Sequence, residues 1–244
     1  MESGELALMF HRVLKFAFLA AVALAPAVSQ EPQHSPFVRA AGEATVTANP
    51  DRVTIDIGVT TQASTAQAAS AQNAKRLEAV MGQIRQAFGS AAEIKTAGYS
   101  VNPDYHYPPQ GGQPTIAGYS ANHILQVKLD DVSLAGKLID LATQSGANTI
   151  HSLQFSLKDE SAVQAQALRE AAVKARRKAE TMASALGMRI VRIVSAEEGG
   201  VNVIRPMMVE AMGMQARAAG VPTPVASGTI EIHATVTVTA AVSQ

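Results

Sequence analysis

The hydrophobic period of this chain switches repeatedly between two residues and about 3.6, and the order of the switches restricts the fold more than any other feature. Val53, Ile55, Ile57 and Val59 alternate with mostly polar residues, the pattern of a half-buried strand. A shorter strand-like run over 43–48 precedes it across Asn49-Pro50-Asp51. Proline presets φ there, and the Asn and Asp side chains bond to nearby backbone, so the three residues predict a turn and the two runs a hairpin. Ser64 or Thr65 then caps a helix whose stripe is Ala66, Ala69, Asn73, Leu77, Val80, Ile84 and Phe88, ending near Gly89. Residues 94–107 read as a strand, broken by Pro108-Pro109-Gln110-Gly111-Gly112. The return strand covers 116–129, with Tyr119, Ala121, Leu125, Val127 and Leu129 on one face.

Ser133 caps a short helix running to about Gln144, and Gly146-Ala147-Asn148 turns into a strand over 149–157. The longest helix is expected over 162–186, with Leu168, Ala172, Ala175, Ala179, Met182 and Leu186 on its buried face and Gly187 ending it. A strand over 188–196 follows, then an irregular segment over 197–227 rich in Gly, Pro and Met. Residues 229–239 close with alternation, Ile230, Ile232, Ala234, Val236 and Val238 sharing a face. The order is ββαββαβαββ. It predicts an α+β fold, a mostly antiparallel sheet with helices packed on it. Within it, 53–157 reads βαββαβ, the split-βαβ order.

The first residues carry a different signal. His11, Arg12 and Lys15 precede an uncharged apolar run over 16–25, followed by the small residues Ala25, Ala27 and Ser29. Basic start, apolar run and small-residue site make a secretory leader, cut after Ser29 or Ala27. The apolar run is shorter than the roughly 20 residues that span a bilayer. The domain plan is therefore a leader over 1–29, a flexible lead-in over 30–41 and a single domain over 42–244. An exported chain of this kind is expected in the periplasm, with peripheral contact to the envelope or the outer membrane.

Composition closes several functional classes. Twenty basic residues balance 20 acidic ones, which leaves no basic excess for nucleic acid. Cysteine is absent, so no disulfide, thiolate nucleophile or zinc–thiolate site can form. No G-x-S-x-G, H-E-x-x-H, P-loop or G-x-G-x-x-G occurs, so no catalytic set and no cofactor are expected.

Three groups remain as sites. His123 and His151 each fall in phase with the apolar face of their strand, beside Leu125 and Val127 or Leu153 and Phe155. Two such imidazoles can hold a metal, although neutral, hydrogen-bonded histidines of a core or interface have the same pattern. Met207, Met208, Met212 and Met214 cluster in the irregular segment. Thioethers there suit Cu(I), an oxidation sink, or adaptable packing, and packing is the commonest use. His106, between Tyr105 and Tyr107, lies at a proline-rich loop mouth, and His233 falls on the polar face of the last strand. The run Lys174-Ala-Arg-Arg-Lys-Ala-Glu180 reads as a solvated helix face, with Glu170 placed to pair with Lys174.

Six segments in order resemble the SIMPL-domain family, which includes oxidative-stress defence proteins and periplasmic immunogenic proteins. They are Gly42-Glu-Ala-Thr-Val-Thr-Ala-Asn-Pro-Asp-Arg-Val-Thr-Ile55, Ile94-Lys-Thr-Ala-Gly-Tyr-Ser-Val-Asn-Pro103, Ile116-Ala-Gly-Tyr-Ser-Ala-Asn122, Gly146-Ala-Asn-Thr-Ile150, the helix through Ala175-Arg-Arg-Lys-Ala-Glu180, and the last strand after Pro224. The resemblance implies an exported α+β protein without catalytic residues to carry over. It also implies homo-oligomers, ring-like or channel-like in some members, and a link to oxidative stress. The Met-rich segment and the loop over 105–114 are then expected to supply assembly contacts. A binding module for a metal or small ligand is the alternative.

Overall fold

The computed structural model describes residues 36–109, 111–205 and 223–244. Seven strands and three α-helices run in the order β1 (Phe37–Ala48), β2 (Arg52–Ala63), α1 (Ala66–Phe88), β3 (Ala92–His106), β4 (Thr115–Leu129), α2 (Ala135–Gln144), β5 (Thr149–Ser156), α3 (Glu160–Ala185), β6 (Arg189–Ile204) and β7 (Ile230–Ser243). This is the expected ββαββαβαββ order. The strands divide between two antiparallel sheets rather than forming one, with orders β3-β4-β2-β5 and β1-β7-β6.

The four-stranded sheet is a split-βαβ arrangement: β4 lies between β2 and β3, and β2 lies between β4 and β5. Its core face carries Val53, Ile55, Ile57 and Val59 of β2 and Leu125, Val127 and Leu129 of β4. Val80, Ile84 and Phe88 of α1 and Leu138 of α2 cover that face. Thr65 caps α1 by accepting a hydrogen bond from the Ala68 N–H at 3.2 Å. Asp159 does the same for α3 through the Ser161 N–H.

The three-stranded sheet is covered by α3, and side-chain size governs that contact. Ala167, Ala171, Ala175, Ala179 and Ala183, spaced by four, are all buried. They lie on Ala40, Gly42 and Ala44 of β1 and the apolar face of β7. The approach is so close that a Cβ on Gly42 would fall 2.2 Å from the Ala175 nitrogen and 2.3 Å from the Ala171 oxygen. The expected face through Met182 and Leu186 is wrong. Those two side chains are 40% and 67% exposed, because a helix seated this low presents its smallest residues to the sheet.

The hairpin expected between the first two strands does not form. β1 pairs with β7 in unbroken register from Phe37↔Ala241 to Ala48↔Ile230, while β2 pairs with β4 and β5. Asn49-Pro50-Asp51 thus carries the chain from one sheet to the other. The small inner face of β1 fits the alanines of α3, whereas the Val/Ile face of β2 needs the bulkier cover of α1 and α2.

Two boundaries also move. Residues 37–41, expected in the lead-in, are strand, and so are residues 197–204 of the expected irregular segment. From Thr223 the chain is anchored on α2. Thr223 donates to Asp140 from its N–H at 3.1 Å and from its hydroxyl at 2.6 Å, and Val225 packs into the first core.

Candidate functional site

His123 lies on the core face of β4, opposite Val59 of β2 and Tyr99 of β3. Its Nε2 is 3.1 Å from the Thr96 hydroxyl, and its ring packs against Tyr99 with centroids 5.3 Å apart. Burial holds its pKa below the ordinary 6.5, because the charged ring would lose solvation. His151 is elsewhere. Asp56 pairs with Ser152 and Ile57 with Ile150, so His151 is the extra residue of a β-bulge. One extra residue reverses the phase, and Ile150 takes the core position beside Leu153. The His151 imidazole instead covers Gly58 on the outer face, where a Cβ on Gly58 would fall 2.6 Å from its Nε2. His123 and His151 therefore occupy opposite faces of one sheet and share no ion. Among the described residues no three His, Asp or Glu side chains group as metal ligands.

Met207, Met208, Met212 and Met214 lie outside the described residues, as does the leader. The residues that flank this segment are held in place. Arg205 is ion-paired to Glu160 at the start of α3 at 2.6 Å, and Thr223 is held on α2.

His106 is exposed at the end of β3. It belongs to an arm that sequence reasoning marked only as a loop mouth. β3 and β4 stay paired out to His106↔Thr115, but β2 stops pairing at Ala63↔Tyr119. Beyond that point the ribbon has two strands. Tyr105, Tyr107 and Ile116 there are 51%, 69% and 52% exposed, and the two tyrosine rings are 6.5 Å apart.

Asn73 is buried, as its place in the helix stripe predicts, but the sequence assigned its amide no role. Its Nδ2 donates to the Val59 and Ala121 carbonyls at 2.7 and 3.0 Å, tying α1 to β2 and β4, and its Oδ1 is buried without a partner. Asn148 explains the Gly-Ala-Asn motif. Its side chain accepts from the Thr60 N–H at 2.9 Å and donates to the Thr60 carbonyl at 2.8 Å, extending the β5 ladder by one step. Both are structural roles.

The charged groups latch strands together. Glu93 on β3 is held at about 2 by hydrogen bonds from Lys128 and Lys95, and then by their charges. Asp130 is held at about 2 by Arg52 and Lys158. On α3 the ion pair is Arg176–Glu180 at 2.8 Å, while Glu170 takes its hydrogen bond from Gln166 rather than pairing with Lys174. His233, expected in solvent, is half-buried with its Nδ1 3.0 Å from the Thr45 hydroxyl. Neither His233 nor His123 bonds a carboxylate through its second ring nitrogen, so among the described residues these two threonine–histidine pairs are not part of a hydroxyl–imidazole–carboxylate relay.

The model of the SIMPL family, described as a protein of unknown function (DUF541), matches residues 38–240. The chain belongs to the SIMPL family. That span runs from β1 to β7 and takes in both sheets and all three helices. The chain is 31% identical over 179 residues to the 26 kDa periplasmic immunogenic protein of Brucella melitensis biotype 1, covering 71% of this chain and 72% of that protein. It is 27% identical over 176 residues to the uncharacterized protein YggE of Escherichia coli strain K12, covering 72% of this chain and 71% of YggE.

Proposed function

We propose that this SIMPL chain is an exported, non-enzymatic envelope protein that assembles with copies of itself in the periplasm and supports tolerance of oxidative stress. The observation that carries assembly is the β3–β4 arm, which projects past β2 with Tyr105, Tyr107 and Ile116 uncovered. Aromatic side chains with polar tips suit a protein–protein contact. Export is supported by the leader pattern and by the printed name of the Brucella relative, a periplasmic protein. A non-enzymatic role is supported by the sequence, which carries no catalytic motif.

Sedimentation velocity on the chain from residue 30 onward tests assembly. A species larger than one subunit at micromolar concentration is expected, and it becomes smaller when Tyr105 and Tyr107 are both changed to Ser. A monomer at every concentration refutes the assembly reading. Survival of a deletion strain in peroxide tests the stress role: sensitivity restored by the intact gene is expected, and wild-type survival refutes it.

A further inference from the structure

We infer that the open edge of β1 is a homotypic docking strand, pairing antiparallel with β1 of a second copy about a two-fold axis at Ala41. The inference rests on the self-assembly reading above and adds a second surface to the β3–β4 arm. Among the described strands, four edges lack a neighbour: β1, β6, β3 and β5. Three of them are interrupted. β6 carries extra residues at Val191, Val194 and Gly199, β3 at Ala97, and the short β5 at His151. Bulges of this kind twist an edge away from partners. β1 has none. Its 12 residues pair one to one with β7 and contain no Pro and no Lys, so its other side is a regular template for one more strand.

Charge selects the occupant. Arg39 and Glu43 stand on the exposed face of β1, two residues either side of Ala41, and within one subunit Arg39 also pairs with Glu197 of β6 at 3.2 Å. An antiparallel copy centred there sets Arg39 opposite the partner's Glu43, and Glu43 opposite the partner's Arg39. An unrelated strand would match this spacing only by chance, whereas a second β1 matches it by symmetry. The inner positions that meet across the axis, Ala40 and Gly42, are small and already buried under α3.

Two local contacts must yield: Arg39 turns from Glu197 toward the partner's Glu43, and Lys178 leaves the Ala41 carbonyl. The Ala41 carbonyl accepts a hydrogen bond from Lys178 Nζ at 3.0 Å, beside a groove of about 330 Å³ bordered by Ala41, Gly42, Glu43, Lys174 and Lys178. In the dimer the partner's Ala41 N–H replaces that ammonium. Gly42 lies at the level of Ala171 and Ala175, so the two-fold also passes the middle of the Glu170, Lys174, Lys178 row. The row and its copy run antiparallel, which brings the displaced Lys178 toward the partner's Glu170 and sets Lys174 facing its own copy, so two Lys178–Glu170 pairs offset one like-charge contact.

The test is a charge swap read by sedimentation velocity on the chain from residue 30 onward. Arg39→Glu alone sets two acid–acid pairs across the axis, and Glu43→Arg alone sets two base–base pairs. Each is expected to weaken the dimer step about 10- to 100-fold. An equimolar mixture of the two single variants regains wild-type association, and so does the double variant Arg39→Glu/Glu43→Arg. Unchanged melting temperatures show that the variants fold. Wild-type association by both single variants overturns the inference, and so does failure of both the mixture and the double variant to recover. Either result leaves assembly through another surface standing. A wild-type chain that never associates removes the assembly reading itself.

Discussion

Gly42→Ala adds one methyl group where the fold has no room for it. The new Cβ would sit 2.2 Å from the Ala175 nitrogen, 2.3 Å from the Ala171 oxygen and 2.8 Å from the Ala175 Cα. All three are helix backbone, which no rotamer change can move. Ordinary contact needs about 3.4 Å or more, so α3 must retreat by roughly 1 Å along its middle. The retreat opens gaps under Ala167, Ala171, Ala175, Ala179 and Ala183 together, and a gap of that size forfeits a quarter to a half of each dispersion contact. Overpacking usually costs about 1–3 kcal/mol, and an unyielding backbone neighbour places this case at or above the top of that range. For a domain of this size that lowers Tm by about 6–12 °C. Gly82→Ala is the matched control. Gly82 lies in the exposed interior of α1 with nothing within 4 Å of its added Cβ, so the same change stabilises by about 0.5–1 kcal/mol. Scanning calorimetry on both variants and the wild type gives opposite signs. A Tm for Gly42→Ala within about 2 °C of wild type would refute the close seating of α3 on β1.

Further outcomes follow from single groups. Asn73→Leu removes both hydrogen bonds to the Val59 and Ala121 carbonyls, which keep only their partners in the β2–β4 ladder, a loss of about 1–2 kcal/mol in urea unfolding. Glu93 and Asp130 have folded pKa values of about 2, well below their ordinary 4.5 and 3.8. Their stabilisation is present above the ordinary values and is lost as pH falls from about 4.5 to about 2. A Tm series across that window should fall, less steeply for Lys128→Gln and less steeply in high salt. His123 has a folded pKa below 6.5, so its protonation opposes folding. Stability should decline as pH drops below about 6.5, and His123→Gln should remove that part of the decline. An imidazole titration by NMR with a midpoint at or above 6.5 would contradict the burial of this ring.

Most single elements were legible because their signals are local. Thr65, Gly89 and Gly187 mark helix ends where the structure ends helices. The stripe from Ala69 to Phe88 and the alternation from Ile230 to Val238 bury the residues that their periods select. The histidine pair was misread for a definite reason. Phase counting assumes one residue per step, and the bulge at His151 breaks that count without leaving a trace in residue type. The arm was illegible as an arm, because strand length within a ribbon is visible locally but the point where a third strand stops is not.

By itself, then, the sequence determined the element types, their order, the faces of β2, β4, β7 and α1, and the absence of thiol chemistry. Tertiary structure alone decided which strands pair. Asn49-Pro50-Asp51 is compatible both with a hairpin and with a passage between sheets. The choice came from matching side-chain size across residues far apart in the chain. The smallest face of β1 meets the alanine row of α3, and the larger face of β2 meets α1 and α2. Backbone hydrogen bonding is nearly indifferent to partner, so close packing of distant side chains is what separates one pairing from another.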